Sequence, residues 1–116
     1  FKNVNVTYGH LTGDKILREL ADYCKTNIRK TDFVARWGGE EFIIVMSETD
    51  RDKSKEMCEI LRKGVEKKEF SDSLHITISI GVSQLNTNDS EKSLIERVDI
   101  ALYKAKNSGR NRVVTE

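Results

Sequence analysis

A double glycine set between two β-rich runs constrains this chain more than any other feature. Asp32-Phe33-Val34-Ala35-Arg36-Trp37 leads into Gly38-Gly39-Glu40-Glu41, and Phe42-Ile43-Ile44-Val45-Met46 follows. β-branched and aromatic residues on both sides of paired glycines predict a β-hairpin with its turn at the glycines. The second run is continuously apolar, which predicts a strand buried on both faces. Any sheet that contains this hairpin is at least partly antiparallel.

Helical patterns surround it. From about Gly9 to Lys30, Leu17, Leu20, Ala21, Cys24 and Ile28 recur at spacings of three and four. Thr12 or Asp14 can cap that helix, and Arg29 and Lys30 suit the negative end of its dipole. Thr49 with Asp52 reads as a capping box for a second helix running to about Lys68. Met57, Ile60, Leu61 and Val65 form its expected buried stripe, and its Lys- and Glu-rich outer face reads as solvated. His75 to Ser83 alternates, with Ile76, Ile78, Ile80 and Val82 on one side, which predicts a half-buried strand. Gly81 within it marks a bulge or a close backbone approach. After a loop at Asn86–Ser90, a third helix carries Leu94, Ile95, Val98, Ala101, Leu102 and Ala105, and Gly109 is its expected left-handed cap. Arg112-Val113-Val114-Thr115 reads as a short edge strand.

Amphipathic helices alternating with strands need a sheet to pack on, and with a hairpin in the order the fold class is α+β. A ferredoxin-like βαββαβ core requires a central strand before the first helix, and the sequence carries no such strand. The chain has 116 residues and opens inside a motif without an initiator Met. The expectation is one domain, 1–116, that is part of a longer protein and lacks its N-terminal strand. With 20 basic and 19 acidic residues the net charge is +1, which excludes a polybasic nucleic-acid arm. No apolar run approaches membrane-span length, and no secretory signal precedes the first helix, so no nucleic acid and no membrane contact are expected of this domain. Cys24 and Cys58 fall in helical patterns and read as buried thiols of a reducing, cytoplasmic compartment.

The chemistry concentrates at the hairpin tip. Gly38 and Gly39 carry no side chains, so a ligand can approach their backbone closely. Glu40 and Glu41 follow at once, and within a strand their side chains point to opposite sides. Glycine amides beside a carboxylate suit a Mg²⁺-bound triphosphate, with amides on phosphate oxygens and the carboxylate on the hard cation. An ordinary hairpin with a polar tip fits the same residues.

Gly38-Gly39-Glu40-Glu41-Phe42 resembles the signature of the GGDEF family in its GGEEF form. Phe1-Lys2-Asn3-Val4-Asn5 with Tyr8-Gly9-His10 through Gly13-Asp14 resembles that family's N-terminal segment, and Ile78-Ser79-Ile80-Gly81-Val82 its SIGV strand. Asp99-Ile100-Ala101-Leu102-Tyr103-Lys104-Ala105-Lys106 and Gly109-Arg110-Asn111 resemble its closing motif. The resemblance covers the chain in order. It implies a diguanylate cyclase, which condenses two GTP into cyclic di-GMP and two pyrophosphates, with Mg²⁺ or Mn²⁺ as cofactor and a homodimer as the catalytic state.

By this resemblance Glu40 is a metal ligand and the candidate general base, Glu41 a second metal-side carboxylate, and Lys2 a catalytic cation that neutralises phosphate charge. Gly38 and Gly39 lie under the phosphates, with Lys106 and Arg110 as further phosphate cations, although a solvated basic helix end fits those two as well. Asn5 and Asp14 read guanine, whose N1–H, exocyclic amine and O6 match a carboxylate and an amide. His10 is close to the substrate, or is a packing residue of the helix start. Arg29-Lys30-Thr31-Asp32 resembles the Arg-x-x-Asp of the family's product-inhibition site; a helix end with a favoured Arg and a solvated Asp is the plainer alternative. The family's first strand carries a metal-binding Asp just upstream of the Phe-Lys pair, which this sequence does not contain, and Val6 stands where the family usually has Asp. A non-catalytic, nucleotide-binding or dimerising regulatory domain is therefore the second functional class. An upstream sensory domain is the expected partner in cis.

Overall fold

The structure, a computed structural model, describes residues 10–116, with side chains from Thr12 onward. These residues belong to two compact units, one containing the chain up to Ser47 with Lys67–Ile76, the other Glu48–Glu66 with Thr77–Glu116.

In the first unit, helix α1 spans His10–Thr26. Ile16, Leu17, Leu20 and Cys24 are its buried apolar side chains. Their spacing makes one stripe, and burying each of the three aliphatic side chains contributes about 1.5–3 kcal/mol relative to exposure. Thr12 and Asp14 lie inside the helix and do not cap it. The helix also ends four residues before the expected Lys30. Thr26 Oγ1 donates to the Asp22 and Tyr23 carbonyls (both 3.0 Å), and Asn27 Nδ2 donates to Tyr23 O at 2.7 Å. These side chains satisfy the last carbonyls, so the ladder stops there. Lys25 supplies the basic residue of the last turn.

Strands β1 (Phe33–Gly38) and β2 (Glu41–Val45) form the expected antiparallel hairpin. Phe33 pairs with Val45 and Gly38 with Glu41, with an irregularity in register between Arg36 and Gly38. Gly39 takes the first turn position at φ 52°, a left-handed conformation without penalty only for glycine. The expected two-sided burial of β2 is not found: its residues are half-buried, Val45 is 54% exposed and its cross-strand partner Phe33 63%. Among the described residues β2 pairs only with β1. Ser47 Oγ donates to Thr31 O at 3.0 Å and closes the open end of the hairpin. A 3₁₀ turn at Ser71–Ser73 is tied to α1, where the Glu19 carboxylate accepts from Ser71 N–H and Oγ.

In the second unit, helix α2 spans Arg51–Lys67. Its cap is Asp50, whose Oδ1 accepts from Lys53 N–H at 2.8 Å, and not the expected Thr49. Ser54, Cys58, Leu61 and Val65 are buried, while Ile60, expected inside, is 70% exposed. Strand β3 is Ile80–Val82, shorter than the expected His75–Ser83, because only these residues find ladder partners in β4 (Val113–Thr115). The two run parallel, as a crossover through helix α3 (Glu91–Asn107) allows. Ser90 and Ser93 make a reciprocal capping box at the start of α3. At its end Gly109 has φ 125°, and Arg110 N–H donates to Ala105 O at 3.0 Å, the long bond of a Schellman turn. Gly81 is the expected close approach: a methyl there would meet the Val98 carbonyl oxygen at 2.6 Å and the Leu102 nitrogen. The fold class is α+β, as expected. Neither cysteine is in a disulfide, both are buried, and burial pushes the Cys24 thiol up to about 11.

Candidate functional site

The hairpin turn is built to project backbone and one carboxylate. Gly38 and Gly39 face open space, with nothing within 4 Å of where a side chain would begin. Glu40 occupies the exposed turn and Glu41 starts β2, half-buried. Neither carboxylate has a hydrogen bond or ion pair from its side chain among the described residues. Arg36 holds the turn from below. Its Nε and Nη2 both donate to the Gly39 carbonyl, at 2.8 and 2.5 Å, which fixes the peptide preceding Glu40.

Beside the hairpin, α1 and the two strands line an open cavity of about 350 Å³. Leu17, Ala21, Val34 and Phe42 give it apolar walls, and Asp14, Arg18, Lys25 and Arg36 bring charge to it. That combination of apolar walls and a few convergent polar groups is the usual make-up of a small-molecule pocket. Asp14 thus lines a pocket. Arg18, Lys25 and Arg36 were not anticipated. Asp14, Arg18, Ala21 and Lys25 follow one another at helical spacing, and Arg36 lies two residues from Val34 on a strand, so the sequence carries a signal for both.

Arg29 and Asp32 form a closed unit. The Asp32 carboxylate is fully buried and accepts from Arg29 N–H at 3.0 Å, from Nε at 3.1 Å and from Nη2 at 2.9 Å. Arg29 Nη2 also donates to Ser47 O at 3.0 Å, and the arginine side chain is 45% exposed. Asp32 is thus the residue that holds the guanidinium, not a solvated carboxylate. The hydrogen bonds from Arg29 keep its carboxyl below the usual carboxylate range. The stability this pair contributes is present above the unfolded carboxyl's pKa of about 3.9, and it is lost as pH falls through the lower folded value. Urea unfolding between pH 2 and pH 6 is expected to show an acid decline that shrinks in Asp32→Asn. An equal decline in both proteins would remove the pair's role.

Lys106 and Arg110 lie in the second unit, at the end of α3 and in the turn after it. Neither side chain has a hydrogen bond or ion pair among the described residues. Lys2 and Asn5 lie outside the described residues, as does the His10 side chain. Among the described residues no group of three or more His, Cys, Asp or Glu is placed to hold a metal. Glu40 and Glu41 nevertheless fit a hard cation in donor type and in lacking a competing cation. Mg²⁺ commonly takes one or two carboxylates and completes its shell with water and substrate phosphates. No helix among the described residues is long and apolar enough to cross a membrane.

Residues 1–112 match the family described as "Diguanylate cyclase, GGDEF domain". The sequence is 46% identical over 117 residues to Diguanylate cyclase A of Treponema denticola, covering 97% of this chain and 32% of that protein. It is 45% identical over 114 residues to Diguanylate cyclase DgcM of Escherichia coli, covering 98% of this chain and 28% of that protein. The chain thus spans about a third of these relatives' length. Among solved structures, the active GGEEF domain of a diguanylate cyclase from Vibrio cholerae superposes with a TM-score of 0.90 at 37% identity, covering 98% of this chain and 74% of that one. The coiled coil and GGDEF domain of DgcB from Caulobacter crescentus, solved in complex with c-di-GMP, gives 0.91 at 31% identity, covering 99% and 63%. By a family match over nearly its whole length, the chain belongs to the GGDEF domain family of diguanylate cyclases.

Proposed function

We propose that this domain condenses two GTP into cyclic di-GMP with release of two pyrophosphates. The observation that carries the reading is the hairpin turn: an open double glycine, braced by Arg36, presents the uncommitted Glu40 carboxylate. Phosphate oxygens can approach the glycine backbone, and the Asp14 cavity beside it has the size and polarity for a base. Asp14 there accepts from guanine N1–H and the exocyclic amine, which adenine does not offer. Glu40 and Glu41 would hold Mg²⁺, or Mn²⁺ in its place, and the ion when bound would polarise the α-phosphate and steady the leaving pyrophosphate.

Glu40 takes the proton from the 3′-hydroxyl of one GTP as that oxygen attacks the α-phosphorus of the other. Lys2, Lys106 and Arg110 offset the charge that builds on the phosphates. One domain binds one GTP, so two domains face each other across a two-fold axis, and the catalytic state is a homodimer. Product returns to the half-exposed Arg29, which Asp32 holds in place, giving feedback inhibition. Use of GTP and two buried, reduced thiols fit a cytoplasmic setting for the domain.

Incubation of the purified protein with GTP and Mg²⁺, followed by chromatography, is expected to give cyclic di-GMP and pyrophosphate in a one-to-two ratio. ATP is expected to give no cyclic product. GTP binding without turnover would overturn the catalytic reading in favour of a regulatory nucleotide-binding domain. Equal use of ATP and GTP would remove the guanine-reading role of Asp14.

A further inference from the structure

The turn after α3 places two consecutive non-glycine residues in the left-handed region, Arg110 at φ 62° and Asn111 at φ 48°. Asn adopts this region with some ease, but Arg does not, and such a backbone persists only where its surroundings over-determine it. Here they do. Arg110 N–H donates to Ala105 O at 3.0 Å, and Asn111 N–H donates to Ser79 Oγ at 3.2 Å. Arg112 Nε donates to Arg110 O at 3.1 Å. The main clamp comes from α2, 49 residues away in sequence. Arg62 Nη1 donates to Asn111 Oδ1 at 2.9 Å and reaches its carbonyl at 3.4 Å, while Asn111 Nδ2 donates to Glu66.

Arg62 is itself immobilised. Its Nε and Nη2 donate to the two Glu59 oxygens at 3.2 and 3.3 Å, and its side chain is 13% exposed. The Glu59 carboxyl is held below its usual range chiefly by that pairing. Every polar group of Asn111 is thus engaged, whereas the Arg110 guanidinium has no partner among the described residues. A strained backbone, fixed on all sides, carries an exposed and uncommitted cation.

We propose that Arg62, acting through Asn111, is a positioning residue that fixes the turn carrying Arg110 and so supports the binding of phosphate by the Arg110 guanidinium. The inference rests on the reading of Arg110 as a phosphate-binding residue. It adds that the Glu59–Arg62–Asn111 chain does more than fasten the C-terminal turn to α2. A fastening role alone would lower stability and leave phosphate affinity untouched.

The test is calorimetric binding of two probes to the purified protein: a GTP analogue with a methylene bridge between its α- and β-phosphates, and guanosine. Arg110→Ala is expected to weaken the triphosphate analogue by about tenfold or more, the loss of a charge-assisted pair, with guanosine unchanged. Arg62→Gln is expected to weaken the analogue by roughly three- to tenfold, again sparing guanosine, because misplacement costs less than removal. Arg62→Lys, which keeps one donor toward Asn111, should recover part of that loss. In the Arg62→Gln/Arg110→Ala double variant the affinity should equal that of Arg110→Ala alone. If Arg62→Gln does not fold, Asn111→Gly tests the same link, since glycine accepts φ 48° and lacks the clamped amide. Additive losses in the double variant, or unchanged affinity in Arg62→Gln and Asn111→Gly while Arg110→Ala weakens binding, would overturn the positioning role. Unchanged affinity in Arg110→Ala itself would instead overturn the reading of Arg110 on which it rests.

Discussion

Glu40→Gln is expected to lower cyclic di-GMP formation by about 10³-fold or more, because in the proposed mechanism one side chain supplies both proton acceptance and the metal's carboxylate. The substitution keeps shape and removes charge. Glutamine can neither take the 3′-hydroxyl proton nor match a carboxylate's attraction for a divalent ion. The fold should not notice. Glu40 lies at an exposed turn, and its carboxylate has no hydrogen bond or ion pair among the described residues. Stability should stay within about 0.5 kcal/mol of the parent, the usual range for a surface change. Product measured by chromatography, alongside unfolding followed by circular dichroism, separates the two effects. Cyclic di-GMP formed at the parent rate by Glu40→Gln would mean that another group takes the proton, and the proposed mechanism would fall.

Hairpin, helices and the closing strand were legible in the sequence because each rests on local pattern. Two apolar runs around Gly38-Gly39 leave few alternatives to a turn there, and Gly39 indeed sits at φ 52°. Gly81 in an otherwise alternating strand pointed to a close approach, and α3 makes it. The misreadings came where two local patterns competed. Thr49 and Asp50 are both good caps one residue apart, and only the geometry at Lys53 N–H chooses Asp50. On α2 the buried stripe runs through Ser54 and Cys58; a polar residue at its head made the stripe through Met57 and Ile60 look more apolar. Thr26 and Asn27 stopped α1 through side-chain hydrogen bonds that periodicity does not encode. The turn that carries the candidate site was legible for the same local reasons. Its supports were not. Arg36 reads as one more polar strand residue until the turn brings the Gly39 carbonyl to it, and the Arg62–Asn111 contact joins residues 49 apart.

Two glycines test the fold and the proposed function separately, and the same substitution should act oppositely at each. Gly81→Ala is expected to destabilise the protein by about 1–3 kcal/mol, as overpacking does. Its methyl would press on the Val98 carbonyl oxygen at 2.6 Å, the Ala101 carbonyl carbon at 3.0 Å and the Leu102 nitrogen. All three are backbone atoms of α3, so no rotamer change relieves the clash, and the helix or β3 must shift. Gly81 is not in the left-handed region, so alanine also gains about 0.4–1 kcal/mol by restricting the unfolded chain. The clash outweighs that gain. Because β3 and β4 share only three residue pairs, the shift falls on a short ladder with little to hold it. A thermal midpoint lower by about 4–12 °C is the expected reading for a domain of this size. At Gly38 nothing lies within 4 Å of a new methyl, and φ is not positive, so Gly38→Ala should leave the midpoint nearly unchanged. If phosphates come to rest against that backbone, the same methyl stands where they approach, and affinity for the methylene-bridged GTP analogue should fall while guanosine binding holds. A Gly81→Ala protein as stable as the parent would refute the close packing of β3 on α3. Unaltered triphosphate binding in Gly38→Ala would refute the glycine turn as the phosphate seat.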